Sequence, residues 1–230
     1  MVMVSMWLIF MMGLIFVDTF SIFRVMVSIK TAKRILKPPI FLICLVPFFL
    51  ILTDAFELTG NLGANPIENI QDRFGNWGLR FILITLTITP LKLLTGKNWL
   101  IQFRRMFGLF ASFYVAMHFL VWLILEQSMT MSAIIEDITI RPFITIGFLA
   151  LLILLLLTLT STNNIQRKLK KNWYLVHRLL YIASILAVWH YWWQVKKDIT
   201  EPLIYAIILI SLLLFRVWIK IKQPKYIINS

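Results

Sequence analysis

Long apolar runs separated by short polar or basic segments are the main pattern along this chain. We interpret seven of these runs as candidate membrane-spanning helices, at roughly 4–23, 39–56, 77–94, 106–126, 142–160, 173–195 and 202–219. Each is close to the ~20 residues that an α-helix needs to cross the hydrocarbon core of a bilayer. The pattern predicts an all-α integral membrane protein with a six-helix transmembrane bundle and a possible extra hydrophobic helix at the N-terminus.

The sign of the charged residues alternates from loop to loop. One set of loops is basic and contains Arg24, Lys30, Lys33, Arg34, Lys37, Lys92, Lys97, Arg104, Arg105, Arg167, Lys168, Lys170 and Lys171, with Arg216, Lys220, Lys222 and Lys225 marking the tail. The other set carries Glu57, Glu68, Asp72, Glu136, Asp137, Asp198 and Glu201. Basic loops collect on the cytoplasmic side of membrane proteins. We therefore predict a multi-pass protein of a bacterial inner membrane with its basic loops and C-terminus in the cytoplasm.

The chain divides into three parts on this pattern. Residues 1–37 form an N-terminal extension, residues 38–222 the transmembrane domain and residues 223–230 a short cytoplasmic tail. The apolar run in the extension could span the membrane, lie at its surface or act as an uncleaved signal, and Met26 offers a second possible start. No positive charge precedes that run, which argues against a secretory signal peptide. The sequence suggests no internal repeat.

Composition excludes several classes of protein. The chain is 60% hydrophobic with a mean hydropathy of +0.85, which is too apolar for a soluble domain of 230 residues. Its net charge of +13 would favour nucleic-acid binding in a soluble protein, but here basic loops at an anionic lipid surface explain it. Cys44 is the only cysteine, so the chain cannot build a zinc or iron–sulfur cluster from cysteines. We expect Cys44 to be a small buried apolar residue.

Three histidines, His118, His177 and His190, lie in predicted spans. An ionisable side chain inside a bilayer is costly and usually functional, although a neutral histidine can also bond between helices. Both spans that hold them run from the basic side to the acidic side, and His118 and His190 fall in the outer half. We predict that these two imidazoles face each other and bind a heme b iron from opposite sides, with a partner for each second ring nitrogen.

His177 is harder to interpret. It precedes His190 by 13 residues, or ~20 Å along a helix, which suits two redox positions in the two leaflets. The same spacing rotates a straight helix by about 220°, so the two side chains would not share a face. The residues 13 and 14 positions before His118 are Arg105 and Arg104, not histidine. His177 could bind a second heme with another ligand, border a flavin or quinone, or only pack.

Three arginines are candidates for binding anionic groups of a cofactor. Arg80 lies about one turn into its predicted span, and Arg141 stands just before Pro142. Each could extend to the membrane surface or pair with a heme propionate. Arg178, beside His177, could pair with an anion on the inner side. An aromatic group near His190 suits an interfacial belt or the edge of a heme: Trp189, Tyr191, Trp192 and Trp193.

Nine short segments occur in order along the chain. They are Trp77-Gly78-Leu79-Arg80-Phe81, Ile88-Thr89-Pro90-Leu91, Arg104-Arg105-Met106-Phe107-Gly108-Leu109, Tyr114-Val115-Ala116-Met117-His118, Arg141-Pro142-Phe143-Ile144-Thr145, Leu159-Thr160-Ser161-Thr162, His177-Arg178, His190-Tyr191 and Glu201-Pro202-Leu203-Ile204-Tyr205. Together these segments resemble the MsrQ family, the heme-binding membrane subunits of the periplasmic methionine sulfoxide reductase system, within the ferric-reductase-like transmembrane group. The resemblance covers about residues 38–222.

The resemblance implies a six-helix domain with heme b and FMN. It also implies a partner, the periplasmic molybdopterin reductase MsrP, which repairs methionine sulfoxide in oxidised envelope proteins. Electrons would come from the quinone pool or a cytoplasmic flavin reductase. His118, His177 and His190 fall on the heme-ligand histidines of the family. The chain contains no Gly-x-Gly-x-x-Gly nucleotide turn after a strand, so we expect it to need an external electron donor.

Three other functions remain open at this point. The chain could be a stand-alone ferric or cupric reductase that acts on small external substrates. It could be a proton-coupled transporter that uses its histidines as a relay, although no carboxylate lies beside them within a span. It could also be an assembly protein without a cofactor. An absorption spectrum separates the two redox functions, heme subunit and metal reductase, from the transporter and the assembly protein.

Overall fold

The computed structural model describes residues 32–196 and 198–222, and within these ranges the regular secondary structure is helical. The predicted span 4–23, the possible start at Met26 and the tail 223–230 lie outside the described residues. A π-helical turn, Ala32–Leu36, leads into the first helix, and another, Trp122–Glu126, continues the third. The helices are α1 Lys37–Ala55, α2 Pro66–Thr95, α3 Ile101–Val121, α4 Met131–Ile140, α5 Pro142–Leu159, α6 Asn163–Leu169, α7 Lys171–His177, α8 Leu179–Gln194 and α9 Thr200–Lys222.

The structure confirms the predicted all-α membrane architecture. Among the described residues, five helical stretches are long and apolar enough to cross a bilayer: Arg34–Ala55, Pro66–Thr95, Asn98–Glu126, Pro142–Leu159 and Thr200–Lys222. The short helices α4 and α6, at opposite ends of α5, were not predicted. Many aliphatic side chains of α1 and α9 point outward, such as Leu42 and Leu214, which are 63% and 62% exposed. Apolar surface of this kind fits contact with lipid.

The predicted span 173–195 is divided into two helices, and the expectation of one continuous helix was wrong. Helix α7 ends at His177 and α8 begins at Leu179. Between them, the Arg178 N–H is shared by the carbonyls of Tyr174 and Leu175, 3.2 Å from each. This bonding tightens the chain locally and interrupts the α-helical pattern. Helix α8 alone has 16 residues and is therefore ~24 Å long.

Two antiparallel hairpins form the centre of the bundle. Helix α2 packs along α3, and α5 packs along α8, while α3 contacts α5 and α8 contacts α2. Helix α1 covers the first hairpin, and α9 packs against α2 and α8. The most deeply buried apolar side chains belong to the hairpins and include Ile82, Leu86, Tyr114 and Ala183. Side chains in the centre of the hairpins are therefore held by packing on several sides.

The two hairpins share a weak correspondence in their small residues and histidines, a relation that sequence reasoning did not find. A shift of 72 positions superposes Gly75 on Gly147, Ala111-Ser112 on Ala183-Ser184, and His118 on His190. Ala111, Ala183 and Ser184 have no exposed surface, which shows that the matching small residues lie at helix contacts. Elsewhere the two hairpins have few identities, because lipid-facing positions need only be apolar. A comparison of hydropathy along the sequence therefore does not reveal this correspondence.

Helix α2 is much longer than the predicted span 77–94. Asn65 caps its N-terminus, accepting from the Glu68 N–H and donating to the Glu68 carboxylate, and Pro66 occupies the first helical position. Gly96, with φ of +70°, ends the helix in a left-handed conformation. Its 30 residues are ~45 Å long, which exceeds the ~30 Å hydrocarbon core. The polar first turns of α2 therefore extend beyond the membrane interior.

The charges separate to the two ends of the bundle. All acidic side chains of the described residues lie between 54 and 72, between 126 and 137, or between 198 and 201, where helices begin or end on one side. We call this side the acidic end and the opposite side the basic end. Asp54 and Arg73 form an ion pair at the acidic end. The predicted alternation of charged loops thus corresponds to two distinct ends of the folded bundle.

Pro47 interrupts the backbone hydrogen bonds of α1, and Tyr114 of α3 repairs the interruption. The Tyr114 hydroxyl donates to the Cys44 carbonyl at 2.7 Å and accepts from the Phe48 N–H at 3.0 Å. In an unbroken helix these two backbone groups would bond each other. A proline inside a helix commonly opens such a gap, which a side chain can enter. Cys44 itself is buried and free, as predicted.

Replacing Tyr114 with phenylalanine should destabilise the bundle by about 1–3 kcal/mol, because two buried backbone groups lose their partner. We expect a lower thermal midpoint for Tyr114→Phe in detergent, measured by loss of helical circular dichroism. Tyr174→Phe is the matched control, since Tyr174 is 56% exposed. Equal midpoints for the two variants would contradict the role given to the Tyr114 hydroxyl.

Candidate functional site

His118 of α3 and His190 of α8 meet between the two hairpins. Their ring centroids are 6.1 Å apart, and the ring planes are inclined by 78°. Each histidine stands near the acidic end of its helix, in the half of the bundle where the sequence predicted both. The structure thus brings together two of the three histidines. They come from equivalent positions of the two hairpins, so each hairpin supplies one imidazole.

A backbone carbonyl orients each ring. The Nδ1 atom of His118 lies 2.8 Å from the Gln71 carbonyl oxygen, and Nδ1 of His190 lies 2.7 Å from the Phe143 carbonyl oxygen. A carbonyl only accepts hydrogen bonds, so each Nδ1 must carry the hydrogen. Each Nε2 then keeps its lone pair and can bind a metal ion. Sequence reasoning missed both acceptors, although they precede their histidines by the same 47 residues.

The spacing of the two rings fits a six-coordinate heme iron. A metal–imidazole bond measures about 2 Å, and the bonded nitrogen lies roughly 1 Å from the centre of its ring. Two imidazoles on opposite sides of one iron therefore place their ring centres about 6 Å apart. The observed separation is 6.1 Å. The tautomers, the carbonyl partners and the spacing all suit bis-histidine ligation.

Arg80 lies near the middle of α2, beyond the polar first turns of that helix. Its Nε donates to the Tyr205 hydroxyl of α9 at 3.0 Å, and its guanidinium lies over the Trp77 ring, 4.8 Å from the centroid. The Tyr205 ring lies 6.0 Å from that of Tyr191, the neighbour of His190. Arg80 is therefore half-buried and connected through Tyr205 to the residue next to His190, and its terminal nitrogens have no hydrogen-bond acceptor among the described residues.

Tyr191 links the site to the acidic end of the bundle. Its hydroxyl donates to a carboxylate oxygen of Glu201 at 2.7 Å. Gln194, one turn further along α8, donates to Asp72 of α2 at 3.5 Å. These contacts hold the end of α8 against the starts of α2 and α9. They were not predicted, because hydropathy treats tyrosine and glutamate at a helix end as interfacial residues.

Arg141 forms an ion pair just before α5. Its Nε lies 2.9 Å from a carboxylate oxygen of Asp137, one turn earlier in the chain. Asp137 is buried and also accepts from Trp122 at 3.2 Å and from Gln127 at 2.9 Å. The group connects α4 to the end of α3 and the start of α5. Arg141 thus fixes the cap over this part of the bundle.

His177 is engaged at both ring nitrogens. Its ring stacks on Trp173 with centroids 3.9 Å apart, and its Nδ1 lies 3.2 Å from the Trp173 carbonyl oxygen. Its Nε2 lies 3.3 Å from the Ser161 hydroxyl. The neighbouring Arg178 is exposed. His177 thus lies at the basic end and is not part of the histidine pair.

Tryptophans mark the surface of α8 near the pair. Trp189 and Trp193 stack with ring planes inclined by only 8°, and both are about half exposed. They are therefore on the outer surface of α8, where an interfacial belt remains a prediction.

Comparison with known proteins adds to this geometry. Residues 74–188 match the family described as "Ferric reductase like transmembrane component", a range that includes His118 and His177 and ends two residues before His190. A protein of Xanthomonas euvesicatoria pv. vesicatoria is 51% identical over 164 residues, which cover 71% of this chain and 75% of the relative. Its name is "Protein-methionine-sulfoxide reductase heme-binding subunit MsrQ". The chain belongs to the MsrQ family.

Other MsrQ proteins agree over similar or larger ranges. The MsrQ of Xanthomonas oryzae pv. oryzae is 50% identical over 164 residues. That of Ralstonia nicotianae is 41% identical over 188 residues, which cover 80% of this chain and 86% of the relative. The resemblance inferred from short segments is thereby confirmed. The MsrQ match extends over most of the described bundle and is not confined to the histidines.

Proposed function

We propose that this chain is the heme-binding electron-transfer subunit of a protein-methionine-sulfoxide reductase system. The observation that carries the proposal is the pair His118 and His190, with ring centroids 6.1 Å apart and each Nδ1 bonded to a carbonyl. The names of the MsrQ relatives, which include heme binding, support it. The chain is then an oxidoreductase subunit, and the sulfoxide chemistry belongs to a partner.

The protein groups at the site bind and orient heme b. Each Nε2 would bind the iron, and the carbonyls of Gln71 and Phe143 would keep both rings in the required tautomer. Arg80 offers its free terminal nitrogens to a propionate, while Tyr205 and Trp77 hold its guanidinium. When bound, heme supplies a carrier for one electron at a time. Both imidazoles are half-buried between the apolar helices.

The second cofactor in our proposal is FMN, which would bind at the basic end. Arg104 and Arg105 stand near the start of α3, where Arg105 donates to Asn163 of α6 at 2.6 Å, and Arg178 is exposed between α7 and α8. Guanidinium groups recognise phosphate oxygens well. His177 would border this inner site; to bind iron it would first have to give up its contact with Ser161. Extraction and quantitation of flavin from the purified protein tests the assignment.

The proposed direction of electron transfer follows from the opposite charges at the two ends of the bundle. The basic end faces the cytoplasm and receives electrons from the quinone pool or a cytoplasmic flavin reductase, and the acidic end faces the periplasm. The partner is MsrP, the periplasmic molybdopterin reductase, and the membrane is the bacterial inner membrane. Residues 38–222 form the functional unit. The separation of charges supports this orientation, which accessibility labelling of single cysteines placed at each end would test.

Delivery of electrons to MsrP is the direct test of function. The purified chain, reduced anaerobically with dithionite and freed of excess reductant, should keep its reduced heme spectrum until MsrP and methionine sulfoxide are both added. We expect at least a tenfold faster reoxidation with both present than with either alone. Ferric citrate without MsrP is the comparison. Rapid reoxidation by ferric citrate and none by MsrP would favour a stand-alone metal reductase instead.

A further inference from the structure

We infer that Gly75 and Gly147 are positioning residues that set the orientation of the two histidine rings. The inference rests on the proposed function, because it concerns how the chain presents imidazoles to a heme iron. Gly75 lies on α2 and Gly147 on α5, and they are equivalent in the two hairpins. Sequence reasoning did not single out either residue.

Each glycine lies directly against one imidazole. A Cβ added to Gly147 would stand 2.8 Å from Nδ1 of His190, 2.9 Å from its Cε1 and 3.1 Å from its Cγ. A Cβ added to Gly75 would stand 3.0 Å from Nδ1 of His118 and 3.2 Å from its Cε1. These contacts are shorter than carbon atoms normally make. In each case the ring therefore occupies space that any other residue would fill with its side chain.

The glycines act together with the carbonyl acceptors. Gln71 and Gly75 are four residues apart on α2, and Phe143 and Gly147 are four residues apart on α5, so each pair lies on one face of its helix. The missing Cβ lets the ring approach the backbone, and the carbonyl one turn earlier then accepts its Nδ1–H. In each hairpin, one helix thus fixes both the position and the rotation of the imidazole ring.

The consequence is the nearly perpendicular arrangement of the two ring planes, which are inclined by 78°. Perpendicular axial imidazoles give a low-spin ferric heme with a strongly anisotropic electron paramagnetic resonance signal, whereas parallel imidazoles give a rhombic one. A Cβ at either glycine would push its ring aside, which would rotate the plane or stretch the Nδ1–H bond to the carbonyl. Loss of an orienting contact of this kind typically weakens metal binding about 10- to 100-fold.

The test compares four glycine-to-alanine variants of the full chain, purified with heme. Gly147→Ala and Gly75→Ala alter the two proposed positions, and Gly75→Ala is the milder change. Gly108→Ala is a control without strain, because its Cβ would meet only Thr85 Cγ2, at 3.7 Å. Gly78→Ala is a packing control: its Cβ would clash with Val115 Cγ2 at 2.6 Å, one turn from His118, and the three atoms nearest to it all belong to Val115.

We expect a strongly anisotropic low-spin signal for the unaltered chain and for Gly108→Ala. Gly75→Ala should shift this signal toward a rhombic one, and Gly147→Ala should shift it further or lose heme roughly 10- to 100-fold more readily. In Gly78→Ala, the heme that remains should keep the original signal. Unshifted signals with full heme in Gly75→Ala and Gly147→Ala would overturn the inference. An equal signal shift in Gly78→Ala and Gly147→Ala would also overturn it, because it would reflect packing strain and not the approach of a ring. Absence of a bis-histidine heme from the unaltered chain would instead refute the proposed function.

Discussion

His118→Ala and His190→Ala should each abolish the low-spin heme of this chain. The two imidazoles come from different helices and form the two faces of one site, with ring centroids 6.1 Å apart. Removal of either ring leaves the iron with one protein ligand and leaves a space in the bundle. We expect the sharp absorption bands of the dithionite-reduced protein to fall to below a tenth of their original height. The measurement is a reduced-minus-oxidised spectrum with heme quantitation per protein.

His177→Ala is the matched control for these variants. It removes the same side chain from a neighbouring segment, but His177 stacks on Trp173 and contacts Ser161 away from the pair. The spectrum of the His118/His190 site should therefore survive. Added imidazole should restore part of the signal in His118→Ala, since it can occupy the space of the lost ring. Full heme spectra in both His118→Ala and His190→Ala would refute the site.

The meeting of His118 and His190 could be predicted from depth alone. Alternating charged loops locate the helix ends, and a rise of 1.5 Å per residue then gives the depth of each histidine. The carbonyl partners could not be predicted in this way, because every residue carries a carbonyl and the sequence does not show which one lies beside a ring. Gly75 and Gly147 were equally hidden, since glycine is common in membrane helices for other reasons.

The prediction for His177 was limited by the assumption of a straight helix. It treated residues 173–195 as one element and asked which face His177 shares with His190. The chain instead changes its hydrogen bonding at Arg178, so the rotation expected from spacing does not apply. The contact with Trp173 is local and follows from a spacing of four residues. The approach of Ser161 depends on the loop geometry and needs the structure.

Arg80 and Arg216 show what charge alone leaves out in a membrane bundle. Hydropathy treats an arginine as a marker of a membrane surface, and Arg216 was counted among the basic residues that mark the tail. The structure places both inside the bundle, where each binds a tyrosine hydroxyl: Arg80 binds Tyr205, and Arg216 binds Tyr181 at 2.9 Å. Such partners lie far away in the sequence, so only the folded bundle reveals them.

Arg216→Leu should destabilise the bundle by about 1–3 kcal/mol because it removes the donor for a carbonyl that Pro90 leaves without one. Pro90 has no N–H, so the Leu86 carbonyl one turn earlier lacks its helical partner. The Arg216 guanidinium of α9 donates to this oxygen as well as to Tyr181. We expect a lower thermal midpoint in detergent, measured by helical circular dichroism, while Lys220→Leu on the exposed side of α9 changes it little.

Pro90→Ala supplies the test of this mechanism. Alanine restores an N–H that can reach the Leu86 carbonyl, so Arg216 becomes partly dispensable. In the Pro90→Ala background, Arg216→Leu should therefore cost less than half of what it costs in the original chain, the remainder reflecting the lost bond to Tyr181. Strictly additive effects would mean that the carbonyl freed by Pro90 does not need Arg216. The coupling between positions 90 and 216 thus separates repair of the helix from a general effect of charge removal, which would be equal in both backgrounds.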